Sequence, residues 1–232
     1  MMPGAVLFDI DNTLYSYDAA HAKAYRALTD YAGAALHIGP KAFDELHGAG
    51  SRLLERHSGG RCAAIHNRLI RYQLMLESAG LPIAHAPVMA KLYWETLLNA
   101  MTPFPGVVAA FERLKAMGLT LGIGTNMTAD YQFEKLNRLG LLRHVDFMVS
   151  SEEASAEKPD HRLFELCAVK AGRDPGACVF VGDSLKGDVL GALNAGMRAV
   201  WFNPDPADAA ESPPGACCIR EFGELPELLA SL

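Results

Sequence analysis

Four short segments of the chain hold side chains able to act together on a charged substrate. The first, Asp9-Ile10-Asp11-Asn12-Thr13, follows the apolar run Ala5–Phe8. Residues two apart in an extended chain face the same side, so Asp9 and Asp11 set two carboxylates on one face. Such a pair repels itself, more so when buried, and a hard divalent cation relieves the strain. The second, Gly122-Ile123-Gly124-Thr125-Asn126-Met127, ends an apolar run in a hydroxyl and an amide just before a helical stretch. Free backbone N–H groups and the Thr125 hydroxyl there suit a phosphate. The third is Glu157-Lys158-Pro159-Asp160, in which Pro159 restrains the backbone and aims Lys158, a compact charge suited to phosphate oxygens or a carboxylate. The fourth, Val181-Gly182-Asp183-Ser184-Leu185-Lys186-Gly187-Asp188, again puts acids at the end of an apolar run, with Gly182 allowing a close turn. Each segment alone has a plain structural alternative: loop acids, a helix N-cap, a solvated charge run, or an acid beside a helix N-terminus.

The elements that must position these residues form a regular series. Short, continuous apolar runs at Ala5–Phe8, Thr120–Gly124, Phe147–Val149, Cys178–Val181, Ala199–Phe202 and Ala216–Ile219 read as strands buried on both faces. Helical stretches lie between them, at about Val107–Met117, Ala129–Leu139, His161–Ala171 and Gly187–Ala195. Strand–helix alternation predicts an α/β fold, a doubly wound parallel sheet with helices on both faces. Such sheets bind ligands beyond the carboxyl ends of their strands, where all four segments fall.

Residues 15–101 have a different texture, helix after helix with no convincing strand. Asp18 can cap a helix with an inner face of Ala20, Ala24, Ala27, Leu28, Tyr31 and Ala35. Ile65, Leu69, Tyr72, Leu76 and Ala79 make a second stripe ended by Gly80, and Pro87 opens a third helix running to about Met101. The expected organisation is a core of residues 1–14 and 102–232 with a helical domain, 15–101, inserted after the first strand. Pro204 to Gly215 reads as a surface loop.

Composition narrows the possibilities. Half of the 232 residues are hydrophobic and the net charge is −6, which fits a packed core and argues against a general nucleic-acid binder. The insert holds nine basic and seven acidic residues, leaving twelve basic and twenty acidic outside it. That acidic remainder suits a cation, and the mildly basic insert suits an anionic substrate. No apolar run is long enough to span a bilayer and no secretory signal pattern opens the chain, so no membrane partner and a cytoplasmic setting are expected. Five cysteines, an odd number without a C-x-x-C pair, argue against a metal or disulfide framework.

The order and placement of the four segments resemble the haloacid dehalogenase superfamily, whose motifs are D-x-D-x-T after the first strand, a strand-end Ser/Thr, a Lys, and a late G-D-x-x-x-x-D. Asp9 to Thr13, Thr125, Lys158, and Asp183 with Asp188 carry the match. The insert resembles the family's C1-type cap. The resemblance implies a Mg2+-dependent phosphatase acting on a small phosphomonoester (a nucleotide, sugar or organic-acid phosphate) through an aspartyl-phosphate. It implies Asp9 as nucleophile and Asp11 as general acid and base. Metal ligands would be the Asp9 carboxylate, the Asp11 carbonyl, Asp183 and Asp188, the last directly or through water. Thr125 and Lys158 would bind phosphate, and Asn126 would face substrate. Asn12 stands where many members have Gly, and Asn tolerates a left-handed backbone. A phosphosugar mutase of the same fold, a 2-haloacid dehalogenase, which the second carboxylate disfavours, and a non-catalytic binding protein remain alternatives. Arg52, Arg56 and Arg61 either meet the substrate's leaving group or lie in a solvated loop. The six histidines of the insert lack H-x-x-x-H metal spacing and read as surface or core residues.

Overall fold

The computed structural model describes residues 2–59, 65–205 and 212–232. Arg61, Cys62 and the middle of the expected Pro204–Gly215 loop lie outside them. The chain divides into two compact units, one of Met1–Ser16 with Thr102–Leu232, the other of Tyr17–Met101.

The first unit is built on six parallel strands: β1 (Ala5–Phe8), β2 (Thr120–Thr125), β3 (Phe147–Ser150), β4 (Cys178–Gly182), β5 (Arg198–Phe202) and β6 (Ala216–Ile219). Their spatial order is β3-β2-β1-β4-β5-β6. The chain winds outward from β1 to β3, then returns to place β4 on the other side of β1, with Phe8 opposite Val181 in register. This reversal opens a crevice between the ends of β1 and β4. β1, β2 and β4 are buried along nearly their whole length, as expected of central strands covered on both faces. One core cluster gathers Leu7, Phe164, Cys167, Phe180 and Trp201. The strands match the sequence expectation to within a residue. The stretch expected as one helix from Gly187 is instead a π-helical turn, Leu185–Val189, running into Leu190–Asn194. Single π-turns recur at functional sites.

The second unit contains four described helices: α1 (Tyr17–Leu36), α2 (Pro40–Ser58), α3 (Arg68–Ser78) and α4 (His85–Ala100). The buried stripe of α1 is Ala20, Ala24, Leu28 and Ala32. Ala35, expected inward, is exposed, and Ala27 and Tyr31 are only half-buried, because the stripe keeps a strict spacing of four. In α3 the buried residues are Arg68, Tyr72, Met75 and Leu76. Leu69, expected inward, is 43% exposed, so the face is turned by one position and carries an arginine inside. Helix α4 begins at His85, two residues before Pro87. Arg52 and Arg56 sit on α2 with exposed side chains, not in a loop. Gly50 lets α2 approach α3 closely, since a Cβ there would lie 2.8 Å from the Arg71 carbonyl and from Met75.

Candidate active site

The crevice at the ends of β1, β2 and β4 is lined by Asp9, Asp11, Thr125, Asn126, Lys158, Asp183, Ser184, Gly187 and Asp188, around a cavity of about 270 Å³. Asp9, Asp11, Thr125, Asn126, Lys158, Asp183 and Asp188 all reach it, whereas Arg52 and Arg56 are not among the described residues that line it. Asp9 follows β1, and its N–H donates to the Val181 carbonyl at 3.0 Å, so the first motif continues the sheet into the crevice. Asn12 then takes φ 59, the left-handed turn its residue type allows.

Thr13, fully buried, ties the first motif to the last. Its hydroxyl donates to Asp183 Oδ1 at 2.9 Å and accepts from the Asp183 N–H at 3.0 Å. The Trp201 indole N–H donates to the Asp183 carbonyl at 2.9 Å. Asp188 is drawn in by the π-helical turn, where its Oδ2 accepts from the Ser184 N–H at 3.0 Å. Gly182 makes room for it, since a Cβ on Gly182 would collide with the Asp188 carboxyl.

Lys158 stands at the centre. Its ammonium lies 2.5 Å from Asp9 Oδ1 and 2.7 Å from Asp188 Oδ1, with only 5% of the side chain exposed. It also lies 5.4 Å from the centre of the Phe180 ring, within cation–π range. The Asn126 side-chain oxygen holds this loop by accepting the Lys158 N–H at 2.9 Å.

Carboxylate oxygens of Asp9, Asp183 and Asp188 lie within 4.8 Å of one another. Their charge sums to three negatives against one Lys158, leaving an excess that a divalent cation would cancel. Asp188 Oδ1 is buried and, although close to Lys158, accepts no hydrogen bond in good geometry. An acceptor so placed fits a cation ligand or a bridging water. Burial pushes the Asp9 carboxyl up to about 7, Lys158 opposing and Asp188 adding to the rise. Asp183 is pushed up to about 6 by burial, then by Asp188, with the Thr13 hydrogen bond opposing. The strain expected of converging acids is therefore present, and the donor set fits a hard ion.

Asp11 is held differently. Its carboxylate receives the Lys135 ammonium at 2.7 Å on each oxygen, and the Tyr15 hydroxyl donates to Oδ1 at 2.6 Å. It thus stands apart from the three-acid group, leaving its backbone carbonyl as the atom the resemblance assigns to a metal. Lys135 is fully buried on α6 (Ala129–Arg138), the helix that follows α5 (Val107–Ala116) in the chain. One turn earlier on α6, Gln132 donates to the Thr125 hydroxyl at 2.7 Å and to the Asn126 carbonyl at 2.9 Å. Tyr15, Gln132 and Lys135 escaped the sequence reading, and Thr13, named there in the first motif, was given no role. A signal for two of them exists: Gln132 and Lys135 take the buried face of α6 while Phe133 is 47% exposed, an inversion of the usual amphipathic order.

An open parallel sheet with a lysine and a cation-suited acid cluster at its switch point suits a phosphoryl-type substrate. A profile of haloacid dehalogenase-like hydrolases matches residues 3–196. The chain belongs to that family and is a hydrolase of small phosphomonoesters. It is 34% identical to the ribulose-1,5-bisphosphate 5-phosphatase of Halopiger xanaduensis, over 99% of this chain and 100% of that protein. It is 32% identical to the glyceraldehyde 3-phosphate phosphatase of Methanothermobacter thermautotrophicus, over 88% of each. Among solved structures, a 2-haloacid dehalogenase from Pseudomonas syringae pv. Tomato DC3000 superposes with TM-score 0.78 at 34% identity, over 99% of each chain.

Removal of the Lys135 ammonium has a selective consequence. If Lys135 orients Asp11 for proton transfer, Lys135→Met slows hydrolysis of alkyl phosphates by roughly 10²-fold, the usual weight of general acid–base help. The first chemical step on p-nitrophenyl phosphate, whose leaving group needs no proton, is slowed far less. Pre-steady-state release of each alcohol measures this, and equal losses on both substrates would reduce Lys135 to a packing residue.

Proposed function

We propose that this protein releases inorganic phosphate from a small phosphorylated sugar or related metabolite, with Mg2+ held by Asp9, Asp183 and Asp188. What supports the reading most is the convergence of Asp9, Asp183, Asp188 and Lys158 in one cavity, with Asp11 separately oriented beside it. Mg2+, when bound, supplies the positive charge that lets a phosphate dianion approach a carboxylate. Asp9 attacks phosphorus while Lys158 and the Thr125 hydroxyl hold the phosphoryl oxygens. Asp11 gives its proton to the departing alkoxide, and the carboxylate left behind is stabilised by Lys135 and Tyr15. The same carboxylate then takes a proton from the water that attacks the Asp9 phosphoryl group, returning the enzyme to its starting state. Asn126 aims the Lys158 loop as well as lining the cavity. The unit Tyr17–Met101 serves as the cap that selects the alcohol part of the substrate.

The two phosphatase relatives favour three- to five-carbon sugar phosphates as first candidates. The name of the Pseudomonas syringae structure favours one other reading, carbon–halogen hydrolysis. Asp11 weighs against it, since halide leaves without a proton. A panel of phosphorylated metabolites read by free phosphate, beside 2-chloropropionate read by chloride, separates the two. Phosphate release dependent on Mg2+ is the expected result; chloride release that survives EDTA would overturn it.

The raised acids give the metal-free protein a distinctive pH response. Asp9 and Asp183 sit near 7 and 6, above the ordinary 3.8. Between about pH 4 and 7 the folded chain therefore binds more protons than the unfolded one, so stability falls as pH rises through that window. Mg2+ needs the ionised acids, and its stabilising increment grows over the same range. Calorimetry in EDTA and in Mg2+ from pH 5 to 8 checks this; a Mg2+ increment independent of pH would contradict the assignment of these acids to the metal.

A further inference from the structure

The helical unit holds one buried and one half-buried arginine, and among the described residues no carboxylate pairs with either. Arg68 and Arg71 stand three apart on α3, so their side chains share one face. Arg68 is only 8% exposed, and its Nη1 has no hydrogen-bond partner. The Arg71 Nε is buried and equally unpartnered. The groups seen in contact with them are neutral, while the carboxylates of Asp18 and Asp44 act on the neighbouring His21 and His47. The Arg68 guanidinium lies 4.5 Å from the Tyr93 ring centre and donates, at 3.4 Å, to the Tyr17 hydroxyl. The Tyr93 hydroxyl bonds His21 Nδ1 at 2.6 Å, and Arg71 Nη2 donates to the Ile65 carbonyl at 3.1 Å. Burial, then the Arg68 charge, lowers His21; burial, then the Arg71 charge, pushes His47 down to about 4. Both imidazoles are thus neutral near pH 7. The nearby Asp44 accepts the Tyr25 hydroxyl at 2.7 Å and forms no ion pair with either arginine.

Buried charge persists where something compensates it, and a guanidinium with free N–H groups is shaped for a planar or tetrahedral oxyanion. We propose that the helical unit carries an oxyanion site at Arg68 and Arg71, with Tyr17, Tyr93 and His21 as its neutral hydrogen-bonding wall, which takes a phosphate-type group. Two sources share that chemistry: a second anionic group on the substrate, which rests on the phosphatase reading above, and a free oxyanion, which does not.

The full-length protein and its Arg68→Met/Arg71→Met variant distinguish these. One arm compares kcat/KM for an alkane bisphosphate and for the matching monophosphate alcohol. If the substrate supplies the oxyanion, the bisphosphate-to-monophosphate ratio falls about tenfold or more in the variant, the weight of one charge-assisted contact. The other arm titrates sodium sulfate at constant ionic strength and follows Tm. If a free oxyanion is the ligand, the ratio is unchanged while part of the sulfate-induced rise in Tm disappears in the variant. In sulfate-free buffer the variant is at least as stable as the wild type, because an uncompensated charge pair has gone; a purely structural pair would lower Tm. Should the double variant fail to fold, Arg71→Lys replaces it, keeping the charge without the planar fork, and loses the same ratio or sulfate increment in part. An unchanged ratio together with an unchanged sulfate increment overturns the proposal. A wild type that hydrolyses neither ester defeats the phosphatase reading alone, and the sulfate arm still decides the site.

Discussion

Asp9→Asn lowers phosphate release by on the order of 10⁴-fold or more, the scale on which loss of a covalent nucleophile is felt. The fold survives the change. Asp9 is buried, and burial is the largest influence on its carboxyl, raising it toward the neutral form, so a neutral amide of similar shape removes a desolvation cost. Lys158 keeps Asp188 as its partner at 2.7 Å. Thermal stability of the metal-free variant therefore equals or exceeds that of the wild type, while the Mg2+-induced rise in Tm shrinks because one ligand is gone. An Asp9→Asn protein of ordinary activity would remove the nucleophile from the account.

Lys158→Met acts on both function and stability. The ammonium is the one basic group in contact with Asp9 and Asp188 among the described residues, and both acids are almost wholly buried. Removing one partner of a buried ion pair costs about 3–5 kcal/mol, because the remaining charge is left uncompensated. At roughly 2–4 °C per kcal/mol for a chain of this size, Tm drops by about 10 °C. Mg2+ returns part of the loss, since it supplies positive charge to the same three acids. Catalysis does not return with it: without the ammonium on the phosphoryl oxygens, kcat falls by roughly 10²–10³-fold. Calorimetry with and without Mg2+, beside single-turnover rates, measures both effects. A variant that is stable without metal and active with it would show that Lys158 neither balances the acids nor holds the substrate.

The sequence made the central sheet readable because strands buried on both faces are written as unbroken apolar runs, and the four chemical segments sit where those runs stop. Asp9, Thr125, Lys158, Asp183 and Asp188 therefore came with their positions attached. Thr13 and Tyr15 were less visible: one lies inside a motif whose acids drew the chemistry, the other at the exit toward the helical insert. Lys135 and Gln132 were hidden for a different reason. Helix periodicity assigns polar residues outward, and here a polar pair turns inward because the site supplies partners, Asp11 for one and Thr125 for the other. The same assumption misread α3, where the apolar Leu69 was given the inner position that Arg68 holds. Short helices with apolar residues on both sides leave the face undetermined by pattern alone; only packing against α2, made close by Gly50, decides it.

The covalent step is tested most directly in Asp11→Asn, where the first chemical step on p-nitrophenyl phosphate needs no proton donor but the second lacks its base. Rapid mixing with Mg2+ and that substrate should give a burst of one p-nitrophenolate per enzyme, followed by slow turnover. Acid quench and borohydride reduction should then convert residue 9, and no other acid, to homoserine in the peptide mass spectrum. Turnover without a burst and with residue 9 unchanged, or a phosphoryl group found on a different side chain, would contradict the assignment of Asp9 as the group that carries the phosphoryl.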